Sequence, residues 1–225
     1  MTLLTKIISG DKLRKSRLHD EKGNFATWKN VIKHAGPAVA SGLMRISVGY
    51  RPELPWIGYT SIDNLNTFLN KDSRVLEFGS GMSTIWYAKH AGEIFSVEDC
   101  RPWYDNVTKI IESKRLSNIT YRFAESESEY SEFMSDDTNG FDLVIIDGSC
   151  RSKCVAHATK LIKPGGILYL DNSDKDSAPN GGDMRTAEAH ARDFAIDSNA
   201  QITEITDFAP TQFFVQQGLS IRLPG

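Results

Sequence analysis

The sequence predicts an α/β fold, a doubly wound and mostly parallel sheet with helices on both faces and a helical extension ahead of it. Three observations carry this. From Arg74 onward, short apolar runs alternate with helical segments of about ten residues, the pattern of right-handed β–α–β crossovers. The run Phe141–Ile146 is apolar almost throughout, as a strand buried on both faces requires. The last two predicted strands have no helix between them, so they form a hairpin and place an antiparallel last strand in the sheet.

The elements follow in order. Residues 26–48 read as one or two helices interrupted at Gly36-Pro37, and Tyr50–Trp56 is a proline-punctuated extended link. Over 61–69 the apolar positions Ile62, Leu65, Phe68 and Leu69 recur at helical spacing. Arg74–Phe78, Glu93–Val97 and Ile119–Phe123 are short strands, separated by helices over Thr84–Ala91, ended by Gly92, and Trp103–Ser113. The acidic segment Glu125–Asp137 leads to the strand Phe141–Ile146. A helix over Ser152–Ile162 is closed by a turn at Lys163-Pro164-Gly165-Gly166. The strand Ile167–Leu170, a helix over Met184–Ile196 and strands near Ile202–Thr206 and Phe213–Arg222 complete the chain. The organisation is an N-terminal helical extension, residues 1–54, and one domain, residues 55–225.

Composition narrows the function. With 225 residues, 40% hydrophobic and 24% charged, the chain is of ordinary globular type, and collagenous, mucin-like and disordered classes are excluded. No run approaches the roughly 18 apolar residues of a membrane span, and the amino terminus lacks the continuous apolar region of a secretory signal. The three cysteines, Cys100, Cys150 and Cys154, form neither a paired framework nor a zinc site, and read as reduced thiols of a cytoplasmic protein. Residues 1–35 carry eight Lys/Arg against three acids, a net +5, which leaves −8 on the rest of a chain whose total is −3. Such an arm could meet phosphates or an anionic surface. It has few interleaved aromatics and the body is acidic, so a solvated helical extension is the better reading and no nucleic-acid partner is expected. The same N-terminal helices could mediate a homodimer.

In open α/β sheets, ligands bind beyond the carboxyl ends of the strands. The first strand runs into Glu77-Phe78-Gly79-Ser80-Gly81-Met82-Ser83-Thr84. Gly79 and Gly81 permit a tight turn and close approach of a ligand, and Ser83 or Thr84 can cap the next helix. A plain glycine turn is the bland alternative. Thr84 replaces the third glycine of the dinucleotide fingerprint, which argues against a pyrophosphate there. Glu77 precedes the loop, where it could meet an ammonium group. Glu98 ends the second strand, 19 residues after Gly79, where a carboxylate accepts the two hydroxyls of a ribose. Asp147 and Asp171-Asn172 end the fourth and fifth strands and together offer an all-oxygen set suited to Mg²⁺ or a similar divalent cation. The alternative is that Asp147 contacts a cofactor while Asp171 and Asn172 shape the loop.

Glu77–Thr84, Glu98, Phe141–Gly148 and Lys163–Asn172 in this order resemble a class I S-adenosylmethionine-dependent methyltransferase, a Rossmann-like fold, over roughly residues 55–222. The Asp-Gly-Ser at 147–149 and Leu-Asp-Asn-Ser at 170–173 are similar to macrocin-type and catechol-type O-methyltransferases. The resemblance implies that Gly79 and Gly81 line the methionine part of S-adenosyl-L-methionine, with Glu77 near its ammonium, Glu98 on the ribose, and Glu125 and Ser126 beside the adenine. Asp147, Asp171 and Asn172 match the metal ligands of metal-dependent members. The implied activity is O-methylation of a small-molecule or sugar hydroxyl.

One departure stands out. Where those families carry a His or Lys base, three residues after the first ligand aspartate, this chain has Cys150, whose thiol is a poor base unless its pKa is lowered. Arg151, Lys153, His157 and His190 have no spacing that assigns them the task. The segment Ser173–Asp183 reads as a lid over the acceptor, and Trp103 and Tyr104 as packing against the cofactor-side loop. Two alternatives compete: an aminopropyltransferase-like enzyme on the same fold, and a non-catalytic module that binds the nucleoside cofactor.

Overall fold

The computed structural model describes residues 10, 12–175 and 182–225. Its strands are β1 (Arg74–Phe78), β2 (Glu93–Glu98), β3 (Ile119–Phe123), β4 (Phe141–Ile146), β5 (Ile162–Leu170), β6 (Gln201–Phe208) and β7 (Val215–Arg222). They join in one sheet in the order β3-β2-β1-β4-β5-β7-β6. The first five are parallel, while β7 runs antiparallel to both β5 and β6. The chain switches direction across the sheet between β1 and β4, so the crevice beyond their carboxyl ends is where a ligand fits. The seven helices among the described residues are α1 (Trp28–Val48), α2 (Tyr59–Phe68), α3 (Met82–His90), α4 (Arg101–Ser113), α5 (Glu127–Ser131), α6 (Arg151–Ala158) and α7 (Gly182–Asp197).

Strand alternation sorts the core into two layers. Leu76, Phe78, Val144, Ile146, Leu168 and Leu170 point to one face and meet Val155 and Ala158 of α6 and Ala187, Ala191 and Ala195 of α7. Val75, Leu143, Ile145, Ile167 and Tyr169 point to the other and meet Ile62 and Leu65 of α2 and Trp86 and Tyr87 of α3. Both faces are covered, which is why these strands read as continuous apolar runs rather than alternating ones.

Three expectations are corrected. The helix over 26–48 is not interrupted: α1 runs unbroken through Gly36-Pro37 to Gly49, whose left-handed φ of 69° ends it. Pro37 lies on the exposed side, and the opposite side is fixed by the buried residues His34, Ala38 and Gly42. A Cβ on Gly42 would sit 2.6 Å from the Phe213 ring, and His34 Nδ1 lies 2.8 Å from Asp207 Oδ2. That packing outweighs the roughly 3 kcal/mol that proline costs a helix interior. Second, Lys163–Gly166 is not a turn closing a helix. Helix α6 ends at Ala158, and these residues belong to β5 as a bulge, with Ile162 opposite Phe141 but Ile167 opposite Leu143. Third, α3 begins at Met82 with Gly81 as its N-cap, so Ser83 and Thr84 lie inside its first turn.

Candidate functional site

The loop after β1 is shaped by close approach. Gly79 has φ +94°, a region L-residues rarely adopt, and a Cβ there would lie 2.7 Å from Gly148. A Cβ on Gly148 would in turn lie 1.8 Å from Tyr130 Oη. The turns after β1 and β4 therefore pack backbone against backbone. Gly81 is extended, and a Cβ on it would meet nothing closer than the Trp103 indole at 3.7 Å, which leaves room for a ligand beside the loop.

Glu77 takes a different job from the one expected. Its side chain is fully buried, and its oxygens accept from Ser83 Oγ at 2.5 Å, Thr84 Oγ1 at 2.6 Å and Ser96 Oγ at 2.6 Å. Thr84 Oγ1 also accepts from the Gly81 N–H at 3.0 Å. The carboxyl thus fastens the loop to α3 and β2 instead of facing an ammonium group. Burial pushes it up to about 7, against the pull of the three hydroxyls.

Glu98 closes the other side of the loop. Its Oε2 accepts from Ser80 N at 3.1 Å and Ser80 Oγ at 2.8 Å, and its Oε1 from the amides of Asp99 and Cys100 at 3.1 and 2.9 Å. Ser80 Oγ also lies 2.6 Å from Tyr121 Oη, and Trp103 Nε1 donates to Ser80 O at 2.8 Å. Glu125 and Ser126 follow β3, one strand further out. Ser126 caps α5 through the Glu129 amide. Between these parts lies a cavity of about 70 Å³ lined by Trp56, Ser80, Gly81, Ser83, Trp103 and Asp147. The Arg51 guanidinium lies 5.3 Å from the Trp56 ring and 5.0 Å from that of Trp103, both of which line the cavity.

Asp147 and Asp171 do converge. Burial, followed by the charge of the neighbouring Asp147, pushes Asp171 well above the usual carboxylate range. Gln216 Nε2 lies 3.2 and 3.3 Å from the two Asp171 oxygens and donates to Trp56 O at 3.0 Å. Arg151 Nη2 donates to Asp147 Oδ1 at 3.3 Å, Nε to Gly148 O at 2.9 Å, and Nη1 to the Asp171 carbonyl. Asn172 has a left-handed φ of 53° and brings no third carboxylate. Among the described residues no three His, Cys, Asp or Glu side chains gather as a metal-holding group. The expected ligand set does not fit a divalent ion, because Asp147 Oδ1 already serves Arg151 and both oxygens of Asp171 face Gln216.

Burial and the neighbouring Glu127 carboxylate push the Cys150 thiol up, away from thiolate. His157 is half-buried and held below the usual imidazole range, chiefly by that burial. His190 is exposed on α7. Of the expected lid, residues 176–181 lie outside the described residues. Sequence reasoning missed Arg151 and Gln216. Arg151 had a signal, four residues beyond Asp147 at the start of a helix, whereas Gln216 had none.

No family model matches the chain, and no curated protein matches it. Solved structures do. An O-methyltransferase from Bacillus cereus in complex with SAH is 15% identical with a TM-score of 0.60, over 84% of this chain and 98% of its own. A cofactor-bound protein from MTB is 19% identical with a TM-score of 0.61, over 83% and 96%. An rRNA methylase from Streptococcus thermophilus is 9% identical with a TM-score of 0.55, over 74% and 96%. The chain therefore has the Rossmann-like fold these methyltransferases share.

Proposed function

We propose that this chain is an S-adenosylmethionine-dependent methyltransferase that acts on a hydroxyl of a small molecule or glycan. One observation carries the reading. The glycine loop and Glu98 are joined through Ser80 into a single surface, and Asp147 looks onto the same cavity from the next strand end. In this reading Gly79 and Gly81 admit the methionine part, Glu98 exchanges its bond from Ser80 Oγ for the ribose hydroxyls, and Glu125 and Ser126 flank the adenine. Arg51 swings off Trp56 and Trp103 when the cofactor enters, since the cavity holds only a fraction of a nucleoside.

The chemistry asks mainly for alignment. S-adenosylmethionine, held by the glycine loop and Glu98, would supply an electrophilic methyl group, and the chain's own task would be to hold an acceptor oxygen in line with it. The hydroxyl proton goes to Asp147, the partly exposed member of the carboxyl pair, with the buried Asp171 behind it. The small-molecule reading rests on the small cavity onto which Asp147 looks.

The test is calorimetric titration of S-adenosylhomocysteine into the wild type and Glu98→Ala. The expected result is micromolar binding that the substitution weakens by about 1–3 kcal/mol. Absence of binding, with NADH or decarboxylated S-adenosylmethionine binding instead, overturns the reading in favour of a dehydrogenase or an aminopropyltransferase.

The N-terminal helix supplies a second surface. Trp28, Ile32, Val39, Leu43, Met44, Ile46 and Val48 of α1, with Tyr50 just beyond its cap, are all exposed. At ~150–250 Å² per large aromatic side chain and somewhat less for the aliphatic ones, they leave roughly 800–1,000 Å² of apolar surface uncovered. A standard interface takes about 800 Å² per partner. A second copy of the chain, pairing α1 with α1, is the occupant that area fits. Light scattering on the eluted protein is expected to give twice the chain mass, falling to one chain in Ile32→Glu/Ile46→Glu. A monomeric wild type overturns it.

A further inference from the structure

Two acidic side chains on adjacent strand ends would ordinarily invite a hard divalent ion between them. Here the approach is already taken. Arg151 sits in the first turn of α6 and folds back over the ends of β4 and β5. Its guanidinium spans Asp147 Oδ1, the Gly148 carbonyl and the Asp171 carbonyl, using all three of its nitrogens. Its side chain is only 11% exposed. The Asp183 carboxylate holds this start of α6 by accepting from Arg151 N at 2.6 Å and Ser152 N at 3.1 Å, so the arginine's backbone is fixed as well as its head. From the opposite side Gln216 Nε2 covers both oxygens of Asp171. A divalent ion would have to displace a tethered cation of its own sign and break the Gln216 contacts.

We propose that the Arg151 guanidinium stands in the place of a divalent cation between the ends of β4 and β5, so that the site needs no metal and Arg151 is the residue that positions Asp147 at the cavity. The occupancy follows from the contacts alone; its consequence for turnover rests on the methyltransferase reading. An arginine cannot be removed by a chelator, keeps its charge at every working pH, and fixes the two loops through directional bonds rather than through an ion's flexible shell.

Manganese binding tests this on the full chain, read from the free-ion paramagnetic resonance signal. The wild type and Arg151→Lys, which keeps the charge, are expected to leave the ion free up to about 1 mM, the weak end of carboxylate sites. Arg151→Ala frees Asp147 Oδ1 and the two backbone carbonyls, and is expected to bind at least about tenfold more tightly than wild type, a gain that an added Asp147→Asn removes. Arg151→Met, which keeps the aliphatic stem packed, serves if the alanine variant fails to fold, as judged by circular dichroism. Micromolar binding by the wild type, or no gain in either variant, overturns the proposal. Titration of S-adenosylhomocysteine with and without EDTA runs beside it and separates the two readings. Cofactor binding that requires the metal defeats this one, whereas no cofactor binding at all defeats the function proposed above and leaves the manganese result to be read on its own.

Discussion

Replacing Glu77 with Gln tests whether the loop clamp is a neutral acid at low pH. The carboxyl is fully buried, and burial pushes it from its ordinary 4.5 up to about 7. Between those values the folded chain keeps a proton that the unfolded chain has released. Stability therefore falls as pH rises across this window, being fully present below about 4.5 and lost as pH passes about 7. At about 1.4 kcal/mol per pH unit, the effect of this one group between pH 5 and 8 is about 2.5 kcal/mol. Glutamine cannot titrate, so Glu77→Gln removes the slope whatever constant cost its misplaced NH₂ group adds among three hydroxyl donors. The assay is urea unfolding of both proteins at pH 5, 6, 7 and 8, reading the difference in unfolding free energy at each pH. That difference should move by about 2.5 kcal/mol in favour of the variant from the lowest to the highest pH. A difference that stays constant refutes the reasoning and means that Ser83, Thr84 and Ser96 hold the carboxylate ionised throughout.

Two further outcomes follow from geometry. Gly148→Ala drives a methyl into Tyr130 Oη, 1.8 Å away in the native packing, and should cost about 1–3 kcal/mol in a denaturant midpoint while weakening S-adenosylhomocysteine binding; unchanged binding and stability would show that Tyr130 yields freely. Asp207→Ala strips a fully buried acceptor from Thr60 N, Thr60 Oγ1, His34 Nδ1 and Phe208 N, and should lower stability by about 3 kcal/mol or more, with Asp207→Asn recovering part of it by thermal melt.

What could be read from the residues was what local physics dictates. The strands at Arg74–Phe78, Ile119–Phe123 and Phe141–Ile146 coincide with the observed β1, β3 and β4: β1 and β4 because strands covered on both faces must be apolar, and the edge strand β3 because it alternates. The glycine loop was legible for the same reason. Pro37 misled because its cost to a helix is local while the compensation comes from Phe213 and Asp207, far along the chain. The metal set misled because spacing brings Asp147 and Asp171 together but says nothing of the arginine that takes Asp147 Oδ1 or the glutamine that takes Asp171. Gln216 was invisible, as it reaches Asp171 only through the pairing of β7 with β5, a register no short motif encodes.

That pairing also sets an order in time. β6 and β7 are made after the other five strands of the sheet, and they are what α1 rests on. His34 must find Asp207, 173 residues later, and Asp20 is met by Gln217 after 197. On the ribosome, α1 therefore emerges long before its floor exists, with its inner side as bare as its outer one. Closures of such length slow folding and leave apolar surface open to wrong partners. A nascent chain halted before β6 would hold the glycine loop but neither the seat for α1 nor the glutamine that reaches Asp171, so the vulnerable interval is the time between the synthesis of α1 and that of β6 and β7.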